Sequence, residues 1–447
     1  MKQLYLIFLL AFFAGSCDYL DITPTGMVIP EKLTEYRALL TSAYERTTQH
    51  KVLLAVRSDE AFPYNWDGYG SYDDYIDVAT WNDAAIDPLA KAYPWTSVYK
   101  IIFYANTVID HVMAAPVDTR EETREQVLAE AYLLRAYYHF ELLNLYAKPY
   151  DAQTATTDKG VPLSLHVDVE QEYISSSVEQ VYTQILEDLR EGQHYMQLEK
   201  QPLAYRYRFS AMAAKALEAR IRLYRSEWEL ALQAAQELLP GCELEDLNAP
   251  DARSPYYYDS KESILAMERV VNIDIVADMY MLDNTMEKYN LEKDLRVERY
   301  FKWDGEHYVP DKCNGDDMKV TFRSGEVYLI AAEAAAHTEG KLDVAKSYLK
   351  QLMVKRLSPD YYEQRAKEID RMNREECIAE IADERVRELA LEGHRWYDLR
   401  RTTRPEITKT YLDKQYNSHT VTLKKEDVKY TIPFPKEATE NNPNLTK

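Results

Sequence analysis

The segment FSAMAAKALEARIRLYRSEWELALQAAQELL, residues 209–239, carries the strongest structural signal in the chain. Apolar residues recur along it at intervals of three and four, the spacing that places them on one face of an α-helix. The pattern predicts two helices, 209–225 and 227–239, joined by a very short link. Small residues recur in both helices, as expected where two helices cross closely.

A second segment, RSGEVYLIAAEAAAHTEGKLDVAKSYLKQLMVKR at 323–356, predicts another pair of helices, 323–337 and 343–356. The two segments align with each other without gaps when one is displaced along the sequence by a constant number of residues. The matching positions are Ile221 with Ala335, Trp228 with Leu342, Ala231 with Ala345 and Leu238 with Leu352. Such pairs are typical of tetratricopeptide-like repeats. We therefore predict a mainly α fold, a scaffold of helix pairs with little β structure. Because the copies lie too far apart for a simple tandem array, we expect this scaffold to be interrupted.

Capping-box spacings predict three further helix starts. The residue pairs are Thr119 with Glu122, Ser176 with Glu179, and Asn373 with Glu376. The first of these helices is expected to run to Tyr146. The last is expected to reach Glu392, where Gly393 is well placed to end it.

The charge balance excludes whole classes of function. The chain has 447 residues, with 54 Lys and Arg against 75 Asp and Glu, and a net charge of −21. Nucleic-acid binding needs clustered cations, so we predict no nucleic-acid partner. The scarcity of Gly, 12 residues in all, argues against phosphate loops, and no HExxH, GxSxG or P-loop motif occurs. The sequence therefore predicts no enzyme, no cofactor and no metal site.

The first residues have the pattern of a lipoprotein signal peptide. Lys2 precedes an apolar run over 4–14, which is too short to span a membrane and suits a signal-peptide core. The run ends in Ala14-Gly15-Ser16-Cys17, which resembles a lipobox. That resemblance predicts a signal peptide over 1–16 and a lipid anchor on Cys17. A plain signal peptide with an incidental cysteine is the alternative.

The remaining cysteines do not form a disulfide framework. Cys242, Cys313 and Cys377 are odd in number and far apart. Cys377 falls on the apolar face of a predicted helix and is expected in the core. A bridge between Cys242 and Cys313 stays open in an exported protein.

Several motifs, in order along nearly the whole mature chain, resemble the SusD/RagB family of Bacteroidetes outer-membrane lipoproteins. Each motif is weak alone, and their shared order carries the resemblance. They are Cys17-Asp18-Tyr19-Leu20-Asp21-Ile22-Thr23-Pro24, Ser58-Asp59-Glu60, Trp95-Thr96-Ser97-Val98-Tyr99, Arg135-Ala136-Tyr137-Tyr138-His139-Phe140, Gly160-Val161-Pro162-Leu163, Glu384-Arg385-Val386-Arg387-Glu388-Leu389, Glu392-Gly393-His394-Arg395-Trp396-Tyr397-Asp398-Leu399-Arg400-Arg401 and Ile432-Pro433-Phe434-Pro435.

The resemblance implies a single SusD-like domain over 17–447, with four tetratricopeptide-like helix pairs that carry a variable ligand-binding region. We expect the helical scaffold at about 98–239 and 321–400, and the loop-rich binding region at about 57–97 and 240–320. The family also implies a partner, a SusC-like TonB-dependent transporter on which the lipoprotein sits at the surface of the outer membrane. Its usual cargo is oligosaccharide, although some members take peptides.

A glycan binder needs flat apolar faces for the C–H surface of the sugar and polar groups for its hydroxyls, and Tyr and Trp supply both. The two loop-rich regions have that composition. The candidate platform residues are Trp66, Tyr69, Tyr72, Trp81, Trp303 and Tyr308, and the candidate hydroxyl ligands are Asn65, Asp67 and Asp73. Ordinary packing between loop and scaffold is the alternative for every one of these aromatic residues.

The sequence thus predicts a non-enzymatic, lipid-anchored protein that captures oligosaccharide. A peptide-binding, RagB-like member of the same family is the first alternative. The others are a surface glycosidase and a purely structural tetratricopeptide adaptor. His394 beside Glu392 and Arg395 is expected to be structural rather than catalytic.

Overall fold

The computed structural model describes residues 30–446 except 47, 49, 65–70, 85–92, 168–172, 271–278 and 313–317. The side chains of 71–74 and 446 are also outside the description. The predicted signal peptide and Cys17 therefore lie outside the described residues. Among those residues, no helix combines the length and the apolar character needed to cross a membrane.

Helices make up most of the described chain. They are α1 (Leu33–Glu45), α2 (Lys51–Arg57), α3 (Ser71–Ala79), α4 (Thr96–His111), α5 (Arg124–Tyr146), α6 (Val178–Tyr195), α7 (Ala211–Tyr224), α8 (Trp228–Leu238), α9 (Asp283–Met286), α10 (Val297–Tyr300), α11 (Ser324–His337), α12 (Leu342–Met353), α13 (Pro359–Arg371), α14 (Arg374–Leu389), α15 (Arg395–Arg401) and α16 (Lys436–Asn441).

The helices pack as a continuous series. Helix α1 lies against α4, α4 against α5, α5 against α6, α6 against α7, and α7 against α8. Helix α8 then lies against α11, which also contacts α12 and α14. The two predicted pairs, α7–α8 and α11–α12, are therefore neighbours in space although a long segment separates them in sequence. The prediction of a mainly α, tetratricopeptide-like scaffold is confirmed.

Side-chain caps fix where three of these helices begin. Asn373 and Glu376 form the expected capping box of α14. The box of α6 begins at Ser177 instead of Ser176, with Gln180 as its partner. Helix α5 begins four residues later than predicted, because Thr123, and not Thr119, accepts the hydrogen bond from the N–H of Gln126.

The C-terminus of α14 differs from the prediction. The helix ends at Leu389 rather than at Glu392. The next backbone groups have partners outside the helix: Lys312 donates to the Ala390 carbonyl at 2.8 Å, and the Leu391 N–H donates to Glu60 at 3.1 Å. Gly393 follows with φ +79°, in a turn that favours Gly.

The strands are short and pair in twos. They are β1 (Ala61–Pro63), β2 (Lys159–Pro162), β3 (Ser175–Ser177), β4 (Ser263–Leu265), β5 (Met279–Met281), β6 (Phe301–Trp303), β7 (Tyr308–Pro310), β8 (Phe322–Arg323), β9 (Ile407–Leu412) and β10 (Ser418–Leu423). All pairs are antiparallel: β1 with β5, β2 with β3, β4 with β8, β6 with β7, and β9 with β10.

Buried charges on α14 connect the scaffold to the segment that contains β6 and β7. Before the segment, Arg296 contacts Glu384 at 2.7 Å and Glu388 at 3.0 Å. After it, Lys312 contacts Glu392, just past the helix, at 2.5 Å. All five side chains are almost fully buried. Since a buried charge is stable only when paired, these contacts fix both ends of the segment against α14.

The cysteines are placed in part. Cys377 is fully buried in the core, as predicted. Cys242 is a buried free thiol, and burial raises its pKa to about 11. The thiol of Cys242 is therefore not bridged, and Cys313 lies outside the described residues.

Candidate functional site

Strands from distant parts of the chain bring aromatic rings together on one surface. Strand β1 pairs with β5 so that Phe62 lies opposite Tyr280, and β6 pairs with β7 so that Trp303 lies opposite Tyr308. Strand β5 lies beside β7. Side chains of directly opposed residues share a face of a strand pair and contact each other. The pairing therefore places residues from three sequence regions next to one another.

Trp303 and Tyr308 form the exposed end of this surface. Their rings pack edge to face, with centroids 5.1 Å apart. Trp303 is 54% exposed, which is unusual for the largest apolar side chain. An exposed indole supported by a second ring offers a flat face to a ligand without loss of side-chain freedom on binding.

A second cluster of rings adjoins the first. Tyr280 stacks on His307 at 4.4 Å and 23°, and Tyr64 lies 5.0 Å from Tyr280 and 5.7 Å from His307. All three are half-buried. Asp304, in the turn between Trp303 and His307, accepts a hydrogen bond from the Tyr64 hydroxyl, and β5 lies beside β7. The two clusters therefore adjoin, and we call them together the aromatic surface: Tyr64, Tyr280, Trp303, His307 and Tyr308.

Asp304 is the polar centre of the aromatic surface. It accepts hydrogen bonds from the backbone N–H groups of His307 and Glu306, both at 2.8 Å, and from the Tyr64 hydroxyl. Gly305 adopts φ +112°, which only Gly adopts readily. The backbone bond from His307 and then the Tyr64 bond lower the pKa of Asp304 to about 2. One ionised side chain thus closes the β6–β7 turn and ties it to the end of β1.

Carboxylates dominate the electrostatics around the rings. Burial, with added effects of Asp283 and Glu306, raises the pKa of Tyr280 to about 12. Tyr280 therefore keeps its proton at neutral pH and stays an uncharged hydrogen-bonding group. With Asp304 ionised, the surface presents negative charge beside uncharged tyrosine and tryptophan rings, and such a surface suits an uncharged ligand better than a polyanion.

The structure describes part of the predicted site. It brings Trp303 and Tyr308 together. Tyr72 and Asp73 lie in the first turn of α3, and their side chains are outside the description. The remaining candidates from this part of the chain, Asn65, Trp66, Asp67 and Tyr69, lie outside the described residues.

Trp81 is the exception, because the structure buries it. It is 1% exposed, its indole N–H donates to the Arg57 carbonyl at 2.9 Å, and the Lys409 ammonium lies 4.6 Å from its ring. One side faces a cavity of about 790 Å³ that Tyr146 and Phe434 also line. The expectation of an exposed platform is therefore wrong for Trp81, because its indole N–H is directed inward to a backbone carbonyl at the C-terminal end of α2.

The sequence reasoning missed Tyr64, Tyr280, His307 and Asp304. A local signal for the turn was available in the segment FKWDGEHYVP at 301–310. An Asp-Gly step between two aromatic strand segments is a strong hairpin signal. A two-residue turn at that step would place Trp303 opposite Glu306, whereas the observed turn contains four residues, 304–307, and places Trp303 opposite Tyr308. No local signal indicates that Tyr64 joins this hairpin, because that contact crosses more than two hundred residues.

His394 is buried, as expected of a structural residue. Burial, followed by the charges of Arg220 and Arg385, lowers its pKa well below the ordinary value. Its neighbour Arg395 forms a two-bond ion pair with Asp59 at 2.7 and 2.8 Å. The motif around His394 thus joins α15 to the end of α2.

The structure is thus a scaffold of paired helices that carries the aromatic surface on short strand pairs. Two sequence-family models match the chain in succession. One, described as starch-binding associating with outer membrane, matches residues 18–223, and the other, described as SusD family, matches residues 283–447. Together these matches cover most of the chain. The chain belongs to the SusD/RagB family.

One curated relative supports the same family. SusD-like protein P38 of Formosa agariphila is 27% identical to this chain over 150 residues. The match covers 32% of this chain and 25% of the relative, so it spans about a quarter of that protein's length.

Solved structures share the fold over almost the whole chain. A SusD superfamily protein from Bacteroides fragilis has a TM-score of 0.76 at 23% identity, covering 94% of this chain and 100% of its own. A SusD-like carbohydrate binding protein from Bacteroides vulgatus gives 0.68 at 18%, covering 93% and 98%. A laminarin binding SusD-like protein gives 0.61 at 19%, covering 83% and 92%.

Proposed function

We propose that this chain is a non-enzymatic, lipid-anchored surface protein that binds oligosaccharide and delivers it to a SusC-like TonB-dependent transporter of the outer membrane. The observation that carries the binding role is the exposed Trp303, held edge to face by Tyr308 beside the Tyr280–His307 stack. Membership of the SusD/RagB family supports the role.

The chemistry of the aromatic surface suits a sugar. Ring faces pack against the C–H face of a pyranose, and the phenol and carboxylate groups at the edge hydrogen-bond to its hydroxyls. Asp304 and the neutral Tyr280 supply an acceptor and a donor beside the rings. The negative charge favours a neutral glycan.

The anchor and the transporter rest on the sequence and the family. Cys17 follows a signal-peptide pattern and would carry the lipid. Fractionation of cells that express the chain tests this: wild type should sediment with outer membranes and Cys17→Ala should not. A TonB-dependent barrel that co-purifies with wild type supports the partner, and purification of the chain without any barrel contradicts it.

Isothermal titration of the mature chain tests the ligand. Malto- and laminari-oligosaccharides are the first probes, because the family description and one structural neighbour name starch and laminarin. Trp303→Ala should weaken binding by about tenfold or more, as truncation of a central aromatic contact does. Trp228→Ala is the matched control, since Trp228 stacks on His337 at the α8–α11 contact.

Other outcomes favour the alternatives. Saturable binding of peptide pools with no heat from any glycan would replace oligosaccharide with peptide. Release of shorter sugars from a bound glycan would make the protein a glycosidase.

A further inference from the structure

We infer that the C-terminal hairpin β9–β10 forms a second, distal subsite for the same oligosaccharide, centred on Tyr411 and His419. This inference rests on the proposed function. It extends the aromatic surface to a part of the chain outside both loop-rich regions of the sequence analysis.

A continuous series of rings joins the hairpin to the aromatic surface. His419 stacks on Tyr411 at 5.5 Å and 25°, and Tyr411 stacks on Phe62 at 5.2 Å and 27°. Phe62 lies 6.1 Å from Tyr280, which in turn stacks on His307 at 4.4 Å. No step exceeds the usual distance between interacting aromatic rings. The two ends of the series are partly exposed, whereas Phe62 in its middle is buried.

The two faces of the hairpin have different composition. Tyr411 lies opposite His419 and Lys409 opposite Val421, so these residues share the face toward the body. The other face is a hydroxyl ladder, with Thr408 paired to Thr422 at 3.0 Å and Thr410 paired to Thr420 at 3.1 Å. Only the first face has rings, and only that face continues into the aromatic surface.

The hairpin is fixed in this position. The buried Lys409 ammonium donates to the carbonyls of Val56 at 2.7 Å and Ala79 at 3.1 Å, at the C-terminal ends of α2 and α3. His419 is held in turn by the Asp413 carboxylate at 2.7 Å, while 47% of its side chain stays exposed. A ring that is immobilised and still exposed is preorganised for a ligand.

A ligand that reaches both ends must have several sugar units. On this inference, a disaccharide that occupies Trp303 and Tyr308 leaves His419 without contact, and only a longer glycan contacts both. The distal subsite therefore predicts an affinity that depends on chain length, with the additional affinity carried by His419.

Titration of the mature chain with malto- and laminari-oligosaccharides, from disaccharide to heptasaccharide, tests the inference. His419→Ala should weaken heptasaccharide binding by about fivefold, equivalent to one lost ring contact, and leave the disaccharide unchanged. His419→Phe, which restores a ring, should recover the affinity, and His419→Gln should not. Thr420→Ala on the opposite face is the matched control and should bind like wild type.

The other outcomes separate the two claims. Unchanged heptasaccharide affinity in His419→Ala, with binding still lost in Trp303→Ala, would overturn the distal subsite and leave the proposed function intact. Equal weakening at every ligand length would also overturn it, since the ring would then act through the fold. Failure of wild type to bind either glycan series would overturn the proposed function for these glycans, and the subsite with it.

Discussion

Substitution Glu388→Gln should destabilise the fold strongly, because this carboxylate is the centre of a buried ionic cluster. Its two oxygens contact Arg323 at 2.5 Å, Arg356 at 2.9 Å and Arg296 at 3.0 Å, and no side chain in the group is more than 1% exposed. Gln keeps the shape but removes the charge, and it turns an N–H₂ group toward guanidinium donors. Three arginines would then lose their shared counter-charge in a site that water does not reach.

The expected loss is about 3–5 kcal/mol, the range measured when one partner of a buried ion pair is removed. A fold of ordinary stability has only about 5–15 kcal/mol in total, so the effect is large and easily measured. Urea denaturation of both proteins, followed by circular dichroism, gives the difference in the free energy of unfolding. Glu363→Gln on the exposed side of α13 is the control and should change stability by at most about 0.5 kcal/mol.

A loss below about 1 kcal/mol would refute the reasoning, because the cluster would then be dispensable. Hydrogen exchange adds a positional readout. Since Arg296 and Lys312 are fixed to this cluster and to Glu392, exchange in 301–310 should rise more than exchange in α5. A uniform rise would show that the cluster supports the whole scaffold and not the hairpin in particular.

Four further outcomes concern charge. Burial raises the pKa of Glu60 to about 7, so its contribution to stability is present below about pH 4.5 and lost as pH rises through 7. In urea denaturation, Glu60→Gln should therefore be more stable than wild type by about 3 kcal/mol at pH 8 and equal to it at pH 4. Burial disfavours ionisation of Glu388 and Glu392, but neighbouring arginines lower the pKa values of both carboxyls. Their contribution to the stability of the fold is therefore present above about pH 4.5 and lost as pH falls. The thermal midpoint of unfolding should drop in acid, and a midpoint that does not change with pH would contradict this. Lys409→Met leaves buried carbonyls without a donor and should cost about 2 kcal/mol in denaturation, with faster proteolysis in 407–423 than in α5. A uronate oligosaccharide should bind more weakly than a neutral one of equal length, and a difference that persists in high salt would not be electrostatic.

The helical scaffold was predictable because its signals are local. Apolar spacing and small residues defined α7, α8, α11 and α12 to within a few residues, since each signal lies inside the helix that it specifies. Caps were predicted less well, because Thr119, Thr123, Ser176 and Ser177 all offer similar hydroxyls. Only the backbone geometry decides which of two nearby hydroxyls accepts the hydrogen bond from an N–H group in the first turn of the helix.

The site was only partly predictable, because long-range contacts build it. Composition predicts Trp303 and Tyr308 as platform residues, a role that stays a prediction, and a hairpin turn joins them. Composition alone could not distinguish exposed Trp303 from buried Trp81. In the buried Trp81, the indole N–H donates to a carbonyl at the end of α2, and the ring lies against Lys409, which is more than three hundred residues away in sequence.

The same contrast between local and long-range contacts explains how the helical scaffold carries the aromatic surface. The rings lie on short strand pairs, and a two-stranded pair is not stable in water by itself. Each hairpin is instead held by buried basic side chains: Arg296 and Lys312 at β6–β7, and Lys409 at β9–β10. The acceptors are side chains and carbonyls of α14 and of the ends of α2 and α3. The exposed Trp303 can therefore be replaced with little effect on folding, whereas Arg296, Lys312 and Lys409 cannot.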